Sequence, residues 1–213
     1  MIADLFPEDR SRLIIDDGAM LLGGFVECQA EQLIAEIIRI AAIAHFRHLI
    51  TPGGKTMSVA MTNAGCLGWV SDRRGYRYET LDPTTNLPWP TMPGLFAKLA
   101  LEAAQAAGYH NFSPDACLVN RYEPGTRLTL HQDRDEDNYD WPIVSVSLGV
   151  PATFLWGGKE RSDKTRRIAL HHGDVVVWGG NSRLNFHGIA DLRAADHPLT
   201  GNLRYNLTFR QAS

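Results

Sequence analysis

The stretch Arg204-Tyr205-Asn206-Leu207-Thr208-Phe209-Arg210 predicts a β-strand with two different faces. Side chains alternate across a strand, so both arginines, Asn206 and Thr208 share one face and the apolar side chains share the other. An ordinary half-solvated strand has this pattern. A second interpretation also fits, because two guanidinium groups with an amide between them can grip a small dicarboxylate.

Segments of this kind recur through the C-terminal half of the chain. Turn residues such as Gly157-Gly158 and Gly179-Gly180 separate them. The predicted strands are 116–122, 128–132, 143–148, 152–156, 167–170, 174–178 and 203–210. Short strands at this spacing are typical of a double-sheet jelly roll, which points polar side chains from several strands into one cavity.

The N-terminal half contains two helical patterns and fewer strands. Apolar residues recur at helical spacing over 30–44 and 95–103, and Pro93 and Gly108 flank the second pattern. Short strands are predicted at 13–15, 20–22 and 56–62. The predicted fold class is therefore α+β, with a jelly-roll (double-stranded β-helix) core and supporting N-terminal helices.

Length and composition predict one domain over residues 1–213. The chain has no Pro/Ser/Gly-rich linker, and its 44% hydrophobic content excludes disordered and fibrous classes. Residues 1–115 are expected to hold the helices and a lid, and residues 116–213 the jelly-roll core. The lid is a glycine- and aromatic-rich segment at 63–86, which predicts a flexible hairpin.

Charge and cysteine content bear on partners and on the cellular compartment. A net charge of -3 offers nucleic acid no general attraction, and the acidic run at 133–140 is expected to be mostly solvated. Cys28, Cys66 and Cys117 are odd in number and widely spaced, which indicates reduced thiols. Residues 1–10 are acidic and lack a long apolar run, so no signal peptide or membrane span is predicted and a cytoplasmic location is expected.

A metal site is predicted around His131-Gln132-Asp133. On an extended segment His131 and Asp133 point the same way, so an imidazole and a carboxylate can hold one cation. His187 would complete the two-histidine, one-carboxylate arrangement of non-haem iron(II), which leaves the opposite side open for a co-substrate and oxygen. Chance is the alternative, because His-x-Asp also occurs in strands that face water. Iron ligands together with the arginine pair indicate 2-oxoglutarate as the dicarboxylate.

Several aromatic and thioether side chains have two interpretations. Trp69, Tyr76 and Tyr78 alternate with arginines in the lid, where they can stack on bases, but plain β-hairpins have the same composition. Tyr122 shares a face with Asn120 and can either enter a cavity or be buried with its hydroxyl satisfied. The stripe that ends at Met61 is core by default, although methionine also suits an adaptable ligand surface.

The ordered combination of these motifs resembles the AlkB family of iron(II)- and 2-oxoglutarate-dependent nucleic-acid dealkylases, in its bacterial branch. The resemblance runs from residue 51 to residue 211. The motifs that carry it are Thr51-Pro52-Gly53-Gly54, 57–63, Asn120-Arg121-Tyr122, His131-Gln132-Asp133, 144–149, 172–180 and 204–210. His-x-Asp alone is a weak signal, whereas its combination with the last motif is highly specific.

The resemblance implies a role for each matched residue. His131, Asp133 and His187 would bind iron, and Arg204 with Tyr122 would hold the distal carboxylate of 2-oxoglutarate. Asn120, Ser145, Asn206 and Arg210 would complete the co-substrate pocket, and Arg210 also counts among the catalytic residues. Substrate contacts would come from Thr51, Met61, Trp69, Tyr76, Tyr78, Asp135 and Arg161, with Trp69 stacked on the target base opposite His131. The parts of Lys55 and Arg127 stay open.

The same resemblance implies oxidative repair of alkylated DNA. 2-Oxoglutarate and O2 would be consumed, an N-methyl group would be hydroxylated, and formaldehyde, succinate and CO2 would be released. The expected substrates are 1-methyladenine and 3-methylcytosine in single-stranded DNA, with RNA and double-stranded DNA left open, and the expected state is a monomer. An alternative is a 2-oxoglutarate-dependent hydroxylase of a small molecule or protein side chain. A module that binds modified bases without turnover would lack an iron ligand or a clamp arginine.

Overall fold

The computed structural model describes residues 11–213, so the acidic segment 1–10, with its prediction of no signal peptide, lies outside the described residues. The two helices in the described part are α1 (Ala30–Ile43) and α2 (Gly94–Ala106). The strands of the first half are β1 (Leu13–Asp16), β2 (Ala19–Leu22), β3 (Arg47–Ile50), β4 (Thr56–Gly65), β5 (Gly68–Asp72) and β6 (Gly75–Glu79). Those of the second half are β7 (Ala116–Tyr122), β8 (Leu128–His131), β9 (Ile143–Gly149), β10 (Ala152–Trp156), β11 (Arg166–Leu170), β12 (Val175–Trp178), β13 (His187–Ile189) and β14 (Arg204–Arg210).

Two sheets face each other to form the jelly roll. The larger has eight strands in the order β1-β2-β12-β9-β14-β7-β4-β3, and the smaller has the order β11-β10-β13-β8. A core of apolar side chains joins them, with Leu21 and Val176 from the large sheet and Phe154 and Trp156 from the small one. The predicted jelly-roll fold is confirmed.

The helices cover the outer face of the large sheet. Ile37 of α1 and Phe96 of α2 are buried in one cluster with Leu207 and Phe209 of β14. The Phe96 and Phe209 rings meet edge to face, with centroids 5.9 Å apart. The apolar face of β14 therefore packs on helices, and its polar face points between the two sheets.

The structure adds strands that the sequence patterns do not predict. β3 and β13 are both short, at four and three residues. β13 contains Gly188, where an added Cβ would lie 2.6 Å from the Leu128 carbonyl oxygen, so the close approach of β8 explains the glycine there. Strands β1 to β4 lie before residue 116 and supply half of the eight-stranded sheet, so this segment contributes more to the core than helices and a lid.

The predicted hairpin is present as strands β5 and β6, which form a two-stranded sheet of their own. The Asn63 side chain fixes the start of β5, because it bonds both the backbone N–H and the carbonyl of Trp69 at 3.0 Å. The Ser71 hydroxyl donates to the Ile50 carbonyl at 2.7 Å. These bonds attach one strand of the hairpin to the large sheet.

Neither helix in residues 11–213 is long and apolar enough to cross a membrane.

Candidate active site

The three predicted metal ligands meet at one end of the small sheet. His131 ends β8 and His187 begins β13, and the two are direct partners in the antiparallel ladder. The His131 Nε2 lies 3.7 Å from Asp133 Oδ1, and the His187 Nε2 lies 3.7 Å from Asp133 Oδ2. Two bonds of about 2.1 Å to a shared metal can span such separations. The strand pairing therefore brings together ligands that are far apart in sequence.

Backbone contacts orient both imidazoles. The Nδ1 of His131 lies 2.8 Å from the Thr129 carbonyl oxygen, and that of His187 lies 3.0 Å from the Asn185 carbonyl oxygen. A carbonyl only accepts, so Nδ1 carries the proton and Nε2 keeps a free lone pair. Burial, together with the neighbouring His131, lowers the pKa of His187 to about 4. His187 is therefore neutral at pH 7, as a metal ligand must be.

Asp133 supplies a buried carboxylate that fits a cation. Burial by itself raises its pKa, but the Arg210 guanidinium at 3.0 Å and the two histidines bring the pKa below its ordinary value. Its Oδ2 atom is buried and has no hydrogen-bond partner among residues 11–213. A buried polar atom without a partner is costly, and a metal ion between the histidines would satisfy it.

Arg204 is suited to an anionic ligand, because it also has buried polar atoms without hydrogen-bond partners in the described residues. It is 1% exposed, its guanidinium lies over the Tyr122 ring at 4.8 Å, and Nη2 donates to the Ser147 hydroxyl at 3.1 Å. Its Nε and Nη1 atoms have no partner in the described part of the chain. Burial lowers the pKa of Arg204, yet a guanidinium keeps its charge in proteins. A carboxylate can accept a hydrogen bond from either free donor.

Two amides extend the polar wall between the sheets. Asn120 of β7 and Asn206 of β14 face each other in register, and Asn120 Nδ2 donates to Asn206 Oδ1 at 3.1 Å. Asn206 Nδ2 in turn donates to the Ser145 hydroxyl at 2.8 Å. The Asn120 Oδ1 atom is buried and has no partner within residues 11–213. The polar face predicted for β14 is thus buried rather than half-solvated.

A cavity of about 680 Å³ collects these groups and opens beneath the hairpin. Its volume is within the range typical of small-ligand sites. The predicted residues that line it are Thr51, Met61, Trp69, Tyr76, Asn120, Tyr122, His131, Asp133, Asp135, Ser145, Arg161, His187, Arg204, Asn206 and Arg210. Lys55 and Arg127 also line it. Among the predicted site residues, all of which lie within residues 11–213, only Tyr78 does not line the cavity.

Two aromatic residues of the hairpin line the cavity, and a third anchors the hairpin to the acidic segment. Trp69 stacks on Tyr76 with ring centroids 5.6 Å apart, and Trp69 Nε1 donates to Asp135 Oδ2 at 2.8 Å. Tyr78 points inward, where its hydroxyl donates to Glu136 Oε1 at 2.7 Å. Burial raises the pKa of Tyr78 well above its ordinary value, so the phenol stays protonated.

Three residues near the site have no predicted role. Ser147 lies on the same face of β9 as Ser145, and that two-residue spacing was the signal for it. Glu136 belongs to the acidic run expected to be mostly solvated, but it is buried. It pairs with Arg183 at 3.0 Å, and Arg183 comes from the loop before β13. No local pattern points to either partner, because the pair joins segments distant in sequence.

Two histidines and an aspartate on a jelly roll, next to a buried arginine with free donors, define a class of non-haem iron oxygenases that use a dicarboxylate co-substrate. Residues 18–210 match the family model described as the 2OG-Fe(II) oxygenase superfamily. The chain is 59% identical to the alpha-ketoglutarate-dependent dioxygenase AlkB of Escherichia coli (strain K12), over 92% of this chain and 90% of that protein.

Two further comparisons extend this result. The chain is 30% identical to the DNA N(6)-methyladenine demethylase ALKBH1C of Arabidopsis thaliana, over 94% of this chain and 50% of that protein. The solved structure of OsALKBH1 superposes with a TM-score of 0.84 at 30% identity, covering 94% of this chain and 99% of that one. The chain belongs to the AlkB family of the 2OG-Fe(II) oxygenase superfamily. Its cofactor is therefore iron(II), and its co-substrates are 2-oxoglutarate and O2.

Proposed function

We propose that this protein is an oxidative demethylase of nucleic acids that acts on 1-methyladenine and 3-methylcytosine. One observation carries the proposal: the cavity that holds the iron-ligand triad is also lined by a lid aromatic, Trp69, and by a carboxylate, Asp135, which are hydrogen-bonded to each other. This pair suits a flat, positively charged ring. The name of the Arabidopsis relative, a DNA demethylase, supports the same class of substrate.

The proposed roles follow from the unpaired atoms. His131, Asp133 and His187 hold iron(II). Arg204, whose guanidinium lies over the Tyr122 ring, holds the distal carboxylate of 2-oxoglutarate through a donor that has no partner in the described residues. When bound, iron(II) with 2-oxoglutarate and O2 supplies the oxidation that inserts oxygen into a methyl C–H bond. Asn120, Ser145 and Asn206 form the polar wall beside the co-substrate. Arg210 orients the Asp133 carboxylate at 3.0 Å.

The chemistry of the substrate agrees with this part of the cavity lining. A methyl group on N1 of adenine or N3 of cytosine leaves the ring positively charged and blocks base pairing. The damaged base therefore leaves the stack at a low free-energy cost. Trp69 stacks on such a ring, and the Asp135 carboxylate compensates its charge. Hydroxylation gives a hydroxymethyl group. Its C–N bond then breaks, the electron pair returns to the ring nitrogen, and formaldehyde and a proton are released.

A local set of cations serves the nucleic-acid backbone. Lys55, Arg127, Arg134 and Arg161 line the cavity, although the chain has a net charge of -3. Few phosphates are therefore neutralised, which predicts modest affinity and favours single-stranded DNA over a duplex that must be opened. RNA and double-stranded DNA remain candidate substrates.

The proposal includes a monomeric state and a cytoplasmic location. The free thiols of Cys28 and Cys66 agree with a reducing compartment.

The test is 2-oxoglutarate turnover, measured as succinate, with matched oligonucleotides that differ only in one 1-methyladenine. We expect the methylated single strand to stimulate turnover well above the unmethylated one, and duplex and RNA versions to rank the substrates. Equal turnover with both oligonucleotides, at a rate set by 2-oxoglutarate alone, would favour the alternative hydroxylase of a small molecule or protein side chain.

A further inference from the structure

A connected group of four buried charged side chains includes the predicted iron ligand Asp133. Its members are Asp133, Glu136, Arg183 and Arg210, whose side chains are 8%, 2%, 4% and 7% exposed. Arg210 contacts both acids, at 3.0 Å from Asp133 Oδ1 and 3.2 Å from Glu136 Oε1. Arg183 contacts Glu136 Oε2 at 3.0 Å. Two positive and two negative groups balance, so each depends on its partners for compensation.

Asp133 lies two residues beyond the end of β8 and needs support from outside that strand. β8 ends at His131, so the backbone ladder that fixes His131 does not extend to Asp133. Arg183 provides that support. Its Nη1 donates to the Asp133 carbonyl at 2.7 Å, its Nε to the Trp141 carbonyl at 3.0 Å and its Nη2 to Glu136 at 3.0 Å. One rigid guanidinium thus holds three points of the segment that carries the ligand.

We propose that Arg183 and Glu136 are positioning residues for the iron site: Arg183 fixes the backbone of Asp133, and Glu136 fixes the Arg210 that orients its carboxylate. This inference rests on the proposed ligand set. Arg183 does not line the cavity described above, and Glu136 lines it but acts in this proposal through Arg210. Groups that orient metal ligands in this way commonly change metal affinity by about 10- to 100-fold when they are replaced.

Positioning and simple charge predict opposite signs for one variant. Arg183→Gln removes a positive charge near the bound cation, so charge alone would strengthen metal binding. Loss of positioning would weaken it, because the Asp133 carbonyl and Glu136 lose their donor. Arg183→Lys keeps the charge but cannot reach three acceptors with a planar fork, so positioning predicts weaker binding here too.

In the experiment, the metal-free protein is titrated with Co(II) in the presence of 2-oxoglutarate. The absorption bands of the bound ion are recorded during the titration, because they report both affinity and geometry. We expect about tenfold weaker binding and shifted bands for both arginine variants. The matched control is Arg39→Lys on the outer face of α1, where the side chain is 72% exposed, and its binding should equal that of the parent protein. Asp133→Ala should abolish binding.

The outcomes separate the two levels of the proposal. Parent-like affinity and bands in folded Arg183→Lys and Arg183→Gln, with binding lost in Asp133→Ala, would overturn the positioning role alone. Retained binding in Asp133→Ala would overturn the ligand set and the positioning role with it. If neither arginine variant folds, Glu136→Gln decides, since it keeps the shape of the side chain. Unshifted Co(II) bands in Glu136→Gln would overturn the proposal, and shifted bands would support it.

Discussion

At the scale of single residues, the site is defined by atoms whose bonding is incomplete. Asp133 Oδ2 lacks a hydrogen-bond partner within residues 11–213, and so do Nε and Nη1 of Arg204. A cation can compensate the oxygen, and an anion can accept hydrogen bonds from the nitrogens. Iron(II) and 2-oxoglutarate are such a cation and such an anion, so the cofactor and co-substrate of the family agree with the local chemistry.

Arg204→Gln should raise the KM for 2-oxoglutarate by about 100-fold, because hydrogen bonds between charged groups contribute roughly 1.5–3 kcal/mol. Without 2-oxoglutarate the variant should not be less stable than the parent, since the buried charge that it removes has no carboxylate partner within residues 11–213. The upward shift of Tm that 2-oxoglutarate gives the parent should be lost. Arg121→Gln, on the neighbouring strand β7, is the control. A parent-like KM in Arg204→Gln would contradict the role of Arg204.

His187 predicts a pH dependence for the metal-free protein. Its pKa is about 4 in the folded state, below the unfolded value near 6.5, so between these limits the unfolded chain binds more protons. Folding stability should therefore fall as the pH drops from about 6.5 to about 4, by roughly 2–3 kcal/mol. Urea unfolding at several pH values measures this. In His187→Gln, unfolding free energy should lose most of its dependence on pH between about 4 and 6.5. An unchanged pH dependence would disprove the lowered pKa of His187.

At the scale of elements, the sequence predicts strands from alternating polar and apolar residues and turns from glycine and proline. It does not predict which distant segments contact each other. β14 shows its two faces in Arg204–Arg210, and β7 and β10 are found with their observed bounds. β13 escapes notice because it has three residues and a central glycine. Glu136 looks like part of a solvated charge run, since nothing in its own segment shows that Arg183 covers it.

Tyr78→Phe should loosen the lid hairpin. The change removes the hydroxyl that donates to Glu136 at 2.7 Å and keeps the ring, so local opening becomes easier. Trypsin should cut after Arg73 or Arg74 about tenfold faster, because a hydrogen bond to a charged group contributes roughly 1.5–3 kcal/mol. Tyr76→Phe, whose side chain lies on the same hairpin and is more exposed, is the matched control. Equal cleavage rates in the two variants would exclude Tyr78 as an anchor.

At the scale of the whole molecule, one strand links two layers. β14 presents Leu207 and Phe209 to the helices and Arg204 and Asn206 to the cavity. The period of two and the composition predict this division of faces. They do not show which sheet supplies the opposite wall, because β8 pairs with β13 through residues far apart in sequence, such as His131 and His187, which are separated by 56 positions.

Phe96→Ala should separate stability from site geometry. Removing the ring that meets Phe209 leaves a cavity under the large sheet and should cost about 3–5 kcal/mol of unfolding free energy. The KM for 2-oxoglutarate should stay near the parent value wherever the variant is folded, because the polar face of β14 is untouched. Ile38→Ala, at an exposed position of α1, should change stability by less than about 0.5 kcal/mol. Urea unfolding and steady-state kinetics give both numbers, and equal stability losses in the two variants would contradict the helix-sheet core.

The most direct measurement is formaldehyde release from a single-stranded oligonucleotide that carries one 1-methyladenine, with iron(II), ascorbate and O2, in the presence and absence of 2-oxoglutarate. The proposed function predicts formaldehyde only when 2-oxoglutarate is present, in amounts equal to the succinate formed with the damaged strand. Consumption of 2-oxoglutarate without any formaldehyde would leave the oxygenase intact and contradict demethylation of nucleic acid.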